Sequence, residues 1–282
     1  MDLPPLIKRF ERIVNPSLLV VMERELWPSL LSVTRTKKVL VNTYARGNFL
    51  EKILIKKFDL VLTRTEQDAL KLGQYTRALS CGNLKFVLEE PPAIDFRRPE
   101  GKLIVAGSTH PEEDITIIRV YQKLKETFKD LKLILVPRHV HRAYELKRLY
   151  PQFRLRSEDP QNWDVLIVDT LGELFRMYSF ADICFVGGTL VKVGGHNLLE
   201  PIYWNKPVVF GPYYFKVQDL AEFILRKGYG RVASNETELY KTFSTLLKQG
   251  VSLDTNMKEL SEQIKRCYLE QIKGLLLSSS SY

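Results

Sequence analysis

The 282-residue sequence predicts an α/β protein built on parallel sheets. Short apolar runs alternate along it with segments of helical, amphipathic spacing, and fully apolar runs are typical of strands covered on both faces. With 45% hydrophobic and 27% charged residues, the composition is that of a globular protein. The predicted strands are residues 18–22, 38–42, 59–63, 102–106, 131–136, 164–168, 183–187 and 207–211.

A break in this pattern separates two predicted domains. Residues 88–101, LEEPPAIDFRRPEG, combine prolines, mixed charge and a glycine before the next strand begins. We therefore predict a first domain over residues 1–92, a second over residues 93–251 and a terminal helix within residues 252–282. The first segment is too short for a complete Rossmann-like domain with its helices, so we expect that domain to be incomplete.

The charge balance points to an anionic partner. A net charge of +9 fits nucleic acid, a membrane surface or an anionic substrate. The basic residues are scattered and carry no nucleic-acid-binding motif, which disfavours nucleic acid. The sequence has no run of 18 apolar residues, and its start, MDLPPLIKRFERI, lacks a signal-peptide core. We therefore expect a cytoplasmic protein without a transmembrane segment.

Cysteine and histidine usage predicts neither disulfides nor metal. Cys81, Cys184 and Cys267 are far apart and form no C-x-x-C motif, so we expect three buried free thiols. The four histidines form no recognisable ligand set, so we expect no metal site and no cofactor.

The run FVGGTLVKVGGHNLLEP, residues 185–201, is the strongest candidate for a binding site. Two glycine pairs follow a strand and precede a predicted helix at Asn197, whose amino end would favour an anion such as phosphate. Glu200 would then accept hydrogen bonds from a diol such as ribose. The alternative is a structural turn with Asn197 as helix cap. The run matches neither a P-loop nor the G-x-G-x-x-G fingerprint.

Three further loops follow predicted strands at the same edge. Arg138 follows strand 131–136 and could pair with a phosphate, or be a surface arginine at a helix entry. Residues 171–173 follow strand 164–168, where Gly172 would let the main chain approach a base; the alternative is an ordinary helix start capped by Asp169 or Thr170. Gly107 and Ser108 follow strand 102–106. His110 receives no role, and a lone histidine such as His196 is more often structural.

Several segments resemble the 3-deoxy-D-manno-octulosonic acid (Kdo) transferases of lipopolysaccharide assembly. Besides residues 185–201 and 206–230, they are ERELWPSLL (23–31), VNTYARG (41–47), CGNLKF (81–86), VPRH (136–139) and DTLGEL (169–174). The resemblance implies a GT-B fold, two Rossmann-like domains facing a cleft, with the terminal helix crossing back toward the first. It also implies metal-independent, inverting transfer of Kdo from CMP-Kdo to the lipid A precursor lipid IVA, at the cytoplasmic face of the inner membrane.

The resemblance also implies roles for individual residues. The donor CMP would be bound by Pro137, Arg138, Leu171, Gly172, Glu173, Asn197, Leu198, Leu199 and Glu200. The candidate donor loops contribute Gly107, Ser108, Gly194, Gly195 and His196. The candidate acceptor side consists of Glu23, Glu25 and Arg46.

The sequence departs from the family at the catalytic base. Inverting transfer needs a base for the attacking hydroxyl, and the family places a glutamate in a short A-S-x-G-E segment that does not occur here. The catalytic residue is therefore unassigned. We consider a fragment or misplaced start, a second polypeptide that supplies the missing part, or an inactive CMP-binding chain as alternatives.

Overall fold

The computed structural model describes residues 3–277 and divides into two compact units. The first unit comprises the residues up to Leu88 together with those from Lys258 onward, and the second unit comprises Glu89–Met257. The predicted terminal segment ends in residues 278–282, which lie outside the described residues. No helix within residues 3–277 combines the length and apolar character needed to cross a membrane.

The first unit is built on a four-stranded parallel sheet with strand order β1-β2-β3-β4. Its strands are β1 (Leu19–Met22), β2 (Lys38–Thr43), β3 (Leu60–Thr63) and β4 (Ala78–Ser80). Its helices are α1 (Pro4–Val14), α2 (Pro28–Val33), α3 (Phe49–Ile55), α4 (Glu66–Leu72) and the terminal α11 (Met257–Leu277).

The two faces of this sheet carry separate cores because side chains alternate along each strand. Leu40 and Val61 point to a cluster that includes residues of α3. Val39 and Leu60, one residue away on the same strands, point to the opposite cluster, which α11 covers. Fully apolar strands are thus explained by burial on both faces.

The cysteine prediction is wrong for two of the three residues. Cys81 and Cys267 form a disulfide with 5.5 Å between their Cα atoms. α11 packs beside the segment after β4, where Ile264 and Tyr268 share a core cluster with Cys81, and this contact brings the thiols together. Their sequence separation of 186 residues hides the pair from any spacing motif. Cys184 is a buried free thiol, as predicted.

The second unit contains a seven-stranded parallel sheet with strand order β11-β10-β9-β5-β6-β8-β7. Its strands are β5 (Leu103–Thr109), β6 (Lys132–Pro137), β7 (Arg154–Leu155), β8 (Val165–Ile167), β9 (Ile183–Val186), β10 (Val208–Phe210) and β11 (Gly230–Val232). Its helices are α5 (Glu113–Thr127), α6 (Val140–Leu149), α7 (Leu174–Phe180), α8 (Leu199–Tyr203), α9 (Gln218–Arg226) and α10 (Glu236–Gln249).

The strand order reverses between β5 and β9. The chain runs outward from β5 through β6 and then returns to place β9 on the other side of β5. In open parallel sheets, ligands bind beyond the carboxyl ends of the strands at such a reversal. The loops after β5 and β9 are therefore the first place to look for a site.

Candidate functional site

Glu113 ties the loop after β5 to the loop after β9. Its carboxylate accepts main-chain hydrogen bonds from His110 (3.0 Å), Gly188 (2.7 Å), Thr189 (2.9 Å) and Leu190 (2.8 Å). The residue is only 1% exposed, so these four donors replace water as its solvation. Sequence spacing does not reveal this role of Glu113, because its partners on the second loop are more than 70 residues away.

The glycine pairs are required by packing within the protein. A Cβ at Gly187 would lie 2.4 Å from the carbonyl oxygen of Ser108. Gly195 has a φ of 90° and donates a hydrogen bond from its amide to the oxygen of Gly188, at 2.7 Å. These contacts fold the second loop back on itself beside β5, which explains the glycines without reference to a ligand.

Two histidines from these loops form a direct contact. The Nε2 atoms of His110 and His196 lie 2.9 Å apart, and their rings are nearly parallel. One Nε2 must donate and the other accept, so a single proton lies between these two nitrogens. His139, after β6, packs its ring edge against His110. His110 was given no role in the sequence interpretation, and its contact with His196 could not be inferred from spacing.

Both histidines are held neutral by their surroundings. Burial lowers the pKa of His196 to about 4, and electrostatic interactions with His110, Arg138 and Lys216 act in the same direction. Burial also lowers the pKa of His110, partly offset by Glu113. The permanent charge at this edge therefore comes from Arg138 and Lys216, which favours an anionic ligand.

Arg138 lies next to the loop after β5. β6 ends at Pro137, and the amide of Arg138 donates to the carbonyl oxygen of Thr109 at 2.9 Å. Ser108, near the carboxyl end of β5, has a φ of 54°, an uncommon conformation for a residue with a side chain. The structure thus places the predicted Pro137, Arg138 and Ser108 on adjacent strand ends.

The helix predicted at Asn197 is shorter and begins later than expected. α8 has five residues and starts at Leu199, because the amide oxygen of Asn197 accepts from the Leu199 amide at 3.1 Å. Leu198 is buried in the core and fills the turn between them. So few aligned peptides make a weak helix dipole, so the dipole adds little to phosphate capture at Asn197, which stays a prediction.

Glu200, the second residue of α8, sits beside a buried phenol. Burial raises the pKa of Glu200 to about 7, while a hydrogen bond from Asn197 (3.3 Å) acts the other way. Burial raises the pKa of Tyr178, and the charge of Glu200 acts in the same direction. A Cβ at Gly107 would lie 2.1 Å from the Tyr178 hydroxyl. Gly107, Tyr178 and Glu200 therefore belong to one cluster.

The loop after β8 is anchored at both ends and open in the middle. Asp169 accepts from the amide (2.9 Å) and hydroxyl (2.6 Å) of Ser157. The Glu173 carboxylate is occupied by Arg156, at 3.3 Å, and by the Thr170 hydroxyl.

Its centre is accessible. Leu171 is 86% exposed, and nothing lies within 4 Å of a Cβ built at Gly172, whose φ is 82°. The main chain at these two residues can therefore approach a ligand, whereas the side chain of Glu173 already serves a structural contact.

The predicted acceptor-side residues lie in the first unit. Glu23 accepts from Arg64 at 2.7 Å, and Glu25 accepts from the indole of Trp27 at 2.8 Å. Arg46 donates to the hydroxyl of Tyr44 at 2.7 Å. The two carboxylates and the guanidinium are thus already held by neighbours in the same unit.

A family model and several related proteins show what this chain is similar to in sequence. Residues 1–88 match the family model described as 3-Deoxy-D-manno-octulosonic-acid transferase (kdotransferase). Over 280 residues, the chain is 43% identical to a 3-deoxy-D-manno-octulosonic acid transferase of Aquifex aeolicus, covering 98% of this chain and 78% of the relative. It spans 57% to 67% of the length of similarly named relatives from Rickettsia, Haemophilus and Chlamydophila.

Two solved structures extend the comparison. The C-terminal CMP-Kdo binding domain of WaaA from Acinetobacter baumannii is 26% identical, with a TM-score of 0.50, over 59% of this chain and 88% of that domain. The glycotransferase of kitacinnamycin is 11% identical, with a TM-score of 0.54, over 93% of this chain and 75% of that chain. The second likeness concerns the fold alone. With the parallel sheets, these structures confirm the predicted α/β, GT-B-like class.

Proposed function

The chain belongs to the family of 3-deoxy-D-manno-octulosonic acid transferases, and we propose that it moves Kdo from CMP-Kdo to the lipid A precursor lipid IVA. The reaction would invert the anomeric centre and use no metal. The observation that carries the proposal is the convergence of strand-end loops in the second unit. They place the cations Arg138 and Lys216 beside the neutral pair of His110 and His196.

Each part of CMP has a suitable partner at this edge. We assign the phosphate to Arg138, whose planar guanidinium suits bidentate phosphate contacts. Glu200 would accept from the ribose hydroxyls, and Asn197 holds its carboxylate in place. The exposed main chain at Leu171 and Gly172 would approach the cytosine edge. Leu198 and Leu199 shape the turn between Asn197 and Glu200 from the buried side.

During transfer, the acceptor oxygen would bond to the anomeric carbon of Kdo as the bond from that carbon to the CMP phosphate oxygen breaks. Negative charge builds on the departing phosphate, where Arg138 would stabilise it. The proton of the attacking hydroxyl needs a base. Glu23 and Glu25 already accept from Arg64 and Trp27, so the base is not assigned to either of them.

We further propose peripheral attachment to the cytoplasmic face of the inner membrane through α1. Leu6, Phe10 and Ile13 recur at helical spacing along this helix and are exposed. The basic residues of the same helix are Lys8, Arg9 and Arg12. An apolar stripe with flanking basic residues is the pattern of helices that lie in the membrane interface.

The double substitution Phe10→Asp/Ile13→Asp is expected to reduce sedimentation with phosphatidylglycerol-containing vesicles severalfold, because each apolar side chain is worth about 1.5 to 3 kcal/mol when buried. Leu70→Asp, at another exposed leucine of the first unit, is the matched control and should sediment like the unmodified chain. Equal sedimentation of all three proteins would contradict the role of α1.

The activity itself is tested by transfer from freshly generated CMP-Kdo to lipid IVA by the 282-residue chain, with Arg138→Ala/Glu200→Ala as the control variant. Turnover by the unmodified chain that the control variant lacks would support both the transfer reaction and the assigned donor site. CMP binding that the control lacks, without turnover, would favour the alternative, an inactive donor-binding chain. Absence of CMP binding by the unmodified chain would overturn the donor site.

CMP affinity is expected to depend on pH through Glu200. Its carboxyl has a pKa of about 7, so it is increasingly ionised, and better able to accept from ribose, as pH rises from 6 to 8. Affinity should increase over this range and then level off, by up to about tenfold per pH unit below the pKa. Calorimetric titrations of CMP at several pH values measure the effect.

The Glu200→Gln variant is the control for this pH dependence. The CMP phosphate titrates near pH 6, and the histidine pair is present in both proteins, so only the difference between the two profiles reports Glu200. Superimposable profiles would show that Glu200 does not carry the pH dependence.

A further inference from the structure

Three arginines gather around one tyrosine at the carboxyl edge of the first-unit sheet. The guanidinium carbons of Arg24, Arg46 and Arg64 lie 5.3, 5.4 and 5.1 Å from the centre of the Tyr44 ring. These residues follow β1, β2 and β3, the adjacent strands of the sheet. Guanidinium groups stack favourably on aromatic faces, so the phenol ring assembles cations that would otherwise repel one another.

Carboxylates neutralise two of these guanidinium groups. Arg24 pairs with Glu51, which is only 2% exposed and also accepts from the amides of Arg46 and Gly47. Arg64 pairs with Glu23 at 2.7 Å. Both pairs are fixed in place by main-chain contacts as well as by charge, which keeps the cluster ordered.

The third guanidinium has only a neutral partner. Among residues 3–277, Arg46 makes its side-chain hydrogen bond to the Tyr44 hydroxyl, at 2.7 Å, and takes part in no ion pair. Its side chain is exposed. The cluster therefore carries one uncompensated positive charge, on a side chain that the phenol already orients. The guanidinium of Arg46 has further N–H groups that can donate hydrogen bonds to the oxygens of a phosphate group.

The backbone around the cluster is held in uncommon conformations. Glu23 and Asn42, at the ends of adjacent strands, have φ values of 52° and 57°. Asn42 is 3% exposed, and its amide oxygen accepts from Leu84 at 3.0 Å, while its carbonyl accepts from Arg64 at 2.9 Å. Non-glycine residues in this region cost energy and concentrate at functional sites.

We infer that Arg24, Arg46 and Arg64 around Tyr44 form a phosphate-binding site in the first unit, separate from the residues assigned to CMP. Arg46 provides the direct contact and Tyr44 orients it, while the paired Arg24 and Arg64 pack on the same ring. The identity of the molecule that carries the phosphate rests on the proposed function, under which it is the phosphorylated acceptor. The binding of phosphate itself does not depend on that function.

Binding is measured in an Arg138→Ala background, which removes the second-unit cation assigned to the donor phosphate. The probes are inorganic phosphate and dihexanoyl phosphatidic acid, the latter below its critical micelle concentration. Their binding is measured by calorimetry at low salt. Adding Arg46→Ala is expected to weaken binding of both probes about tenfold or more, the usual effect of losing a charge-assisted contact. Adding Tyr44→Phe keeps the ring and should weaken binding by less.

Arg226→Ala is the matched control, since Arg226 is an exposed arginine in the last turn of α9 in the second unit. Its loss removes the same charge and should change binding less than twofold. Equal losses for Arg46→Ala and Arg226→Ala, or no loss for either, would overturn the inference. Binding of inorganic phosphate but not of the lipid would retain the site and reject the phosphorylated acceptor as its ligand.

Discussion

Replacing Arg138 by alanine is expected to weaken CMP binding by about tenfold to a hundredfold, and to lower kcat/KM for Kdo transfer by about 10² to 10³ where turnover is measured. The main-chain hydrogen bond to Thr109 fixes the start of this side chain beside the loop after β5. The neighbouring histidines are neutral, so they would not replace the lost charge on the phosphate. Calorimetry with CMP and initial rates with CMP-Kdo measure the two effects.

Two further variants distinguish the effects of charge and side-chain geometry at Arg138 from a general effect on folding. Arg138→Lys keeps the charge and loses the planar fork, so its affinity should lie between those of the alanine variant and the unmodified chain. Arg148→Ala removes an exposed arginine of α6 and should leave CMP affinity unchanged. Unchanged CMP affinity in Arg138→Ala would remove the phosphate assignment, whatever the stability of that variant.

The sequence was sufficient for features that depend on local pattern. Fully apolar runs predicted the two parallel sheets, because a strand covered on both faces has no polar alternation. The missed strands β4, β7 and β11 lie at sheet edges and are only partly buried, so they lack the continuous apolar run that marks the equally short β8 and β10. The position of Arg138 just after β6 followed from the end of that strand, since parallel strands direct their carboxyl ends to one edge.

Contacts between distant residues could not be predicted in the same way. Glu113 reads as an ordinary first-turn acid, and its carboxylate is explained only by the turn at Gly188 in a later loop. The disulfide between Cys81 and Cys267 depends on where α11 packs. The short α8 ends just before Asn205, which has a φ of 58° and accepts a hydrogen bond from the Thr255 hydroxyl, 50 residues away.

Glu113→Ala is expected to destabilise the second unit by about 3 kcal/mol, because it leaves four main-chain amides without their acceptor, and those of Gly188 and Thr189 are buried. Glu113→Gln keeps one acceptor oxygen and turns an N–H donor toward the other amides. Its loss of stability should therefore lie between those of Glu113→Ala and the unmodified chain. Glu126→Ala, at an exposed glutamate of the same helix, should have little effect. Thermal unfolding followed by circular dichroism measures these differences.

Stability alone does not show that Glu113 shapes the site. In the folded Glu113→Gln variant, the amides of Gly188, Thr189 and Leu190 should exchange with solvent faster than in the unmodified chain, and CMP affinity should fall with them. This coupling is expected because the turn that Glu113 holds continues into Gly195 and His196, beside the cations assigned to the phosphate. Faster exchange with unchanged CMP affinity would restrict Glu113 to a structural role and separate this turn from donor binding.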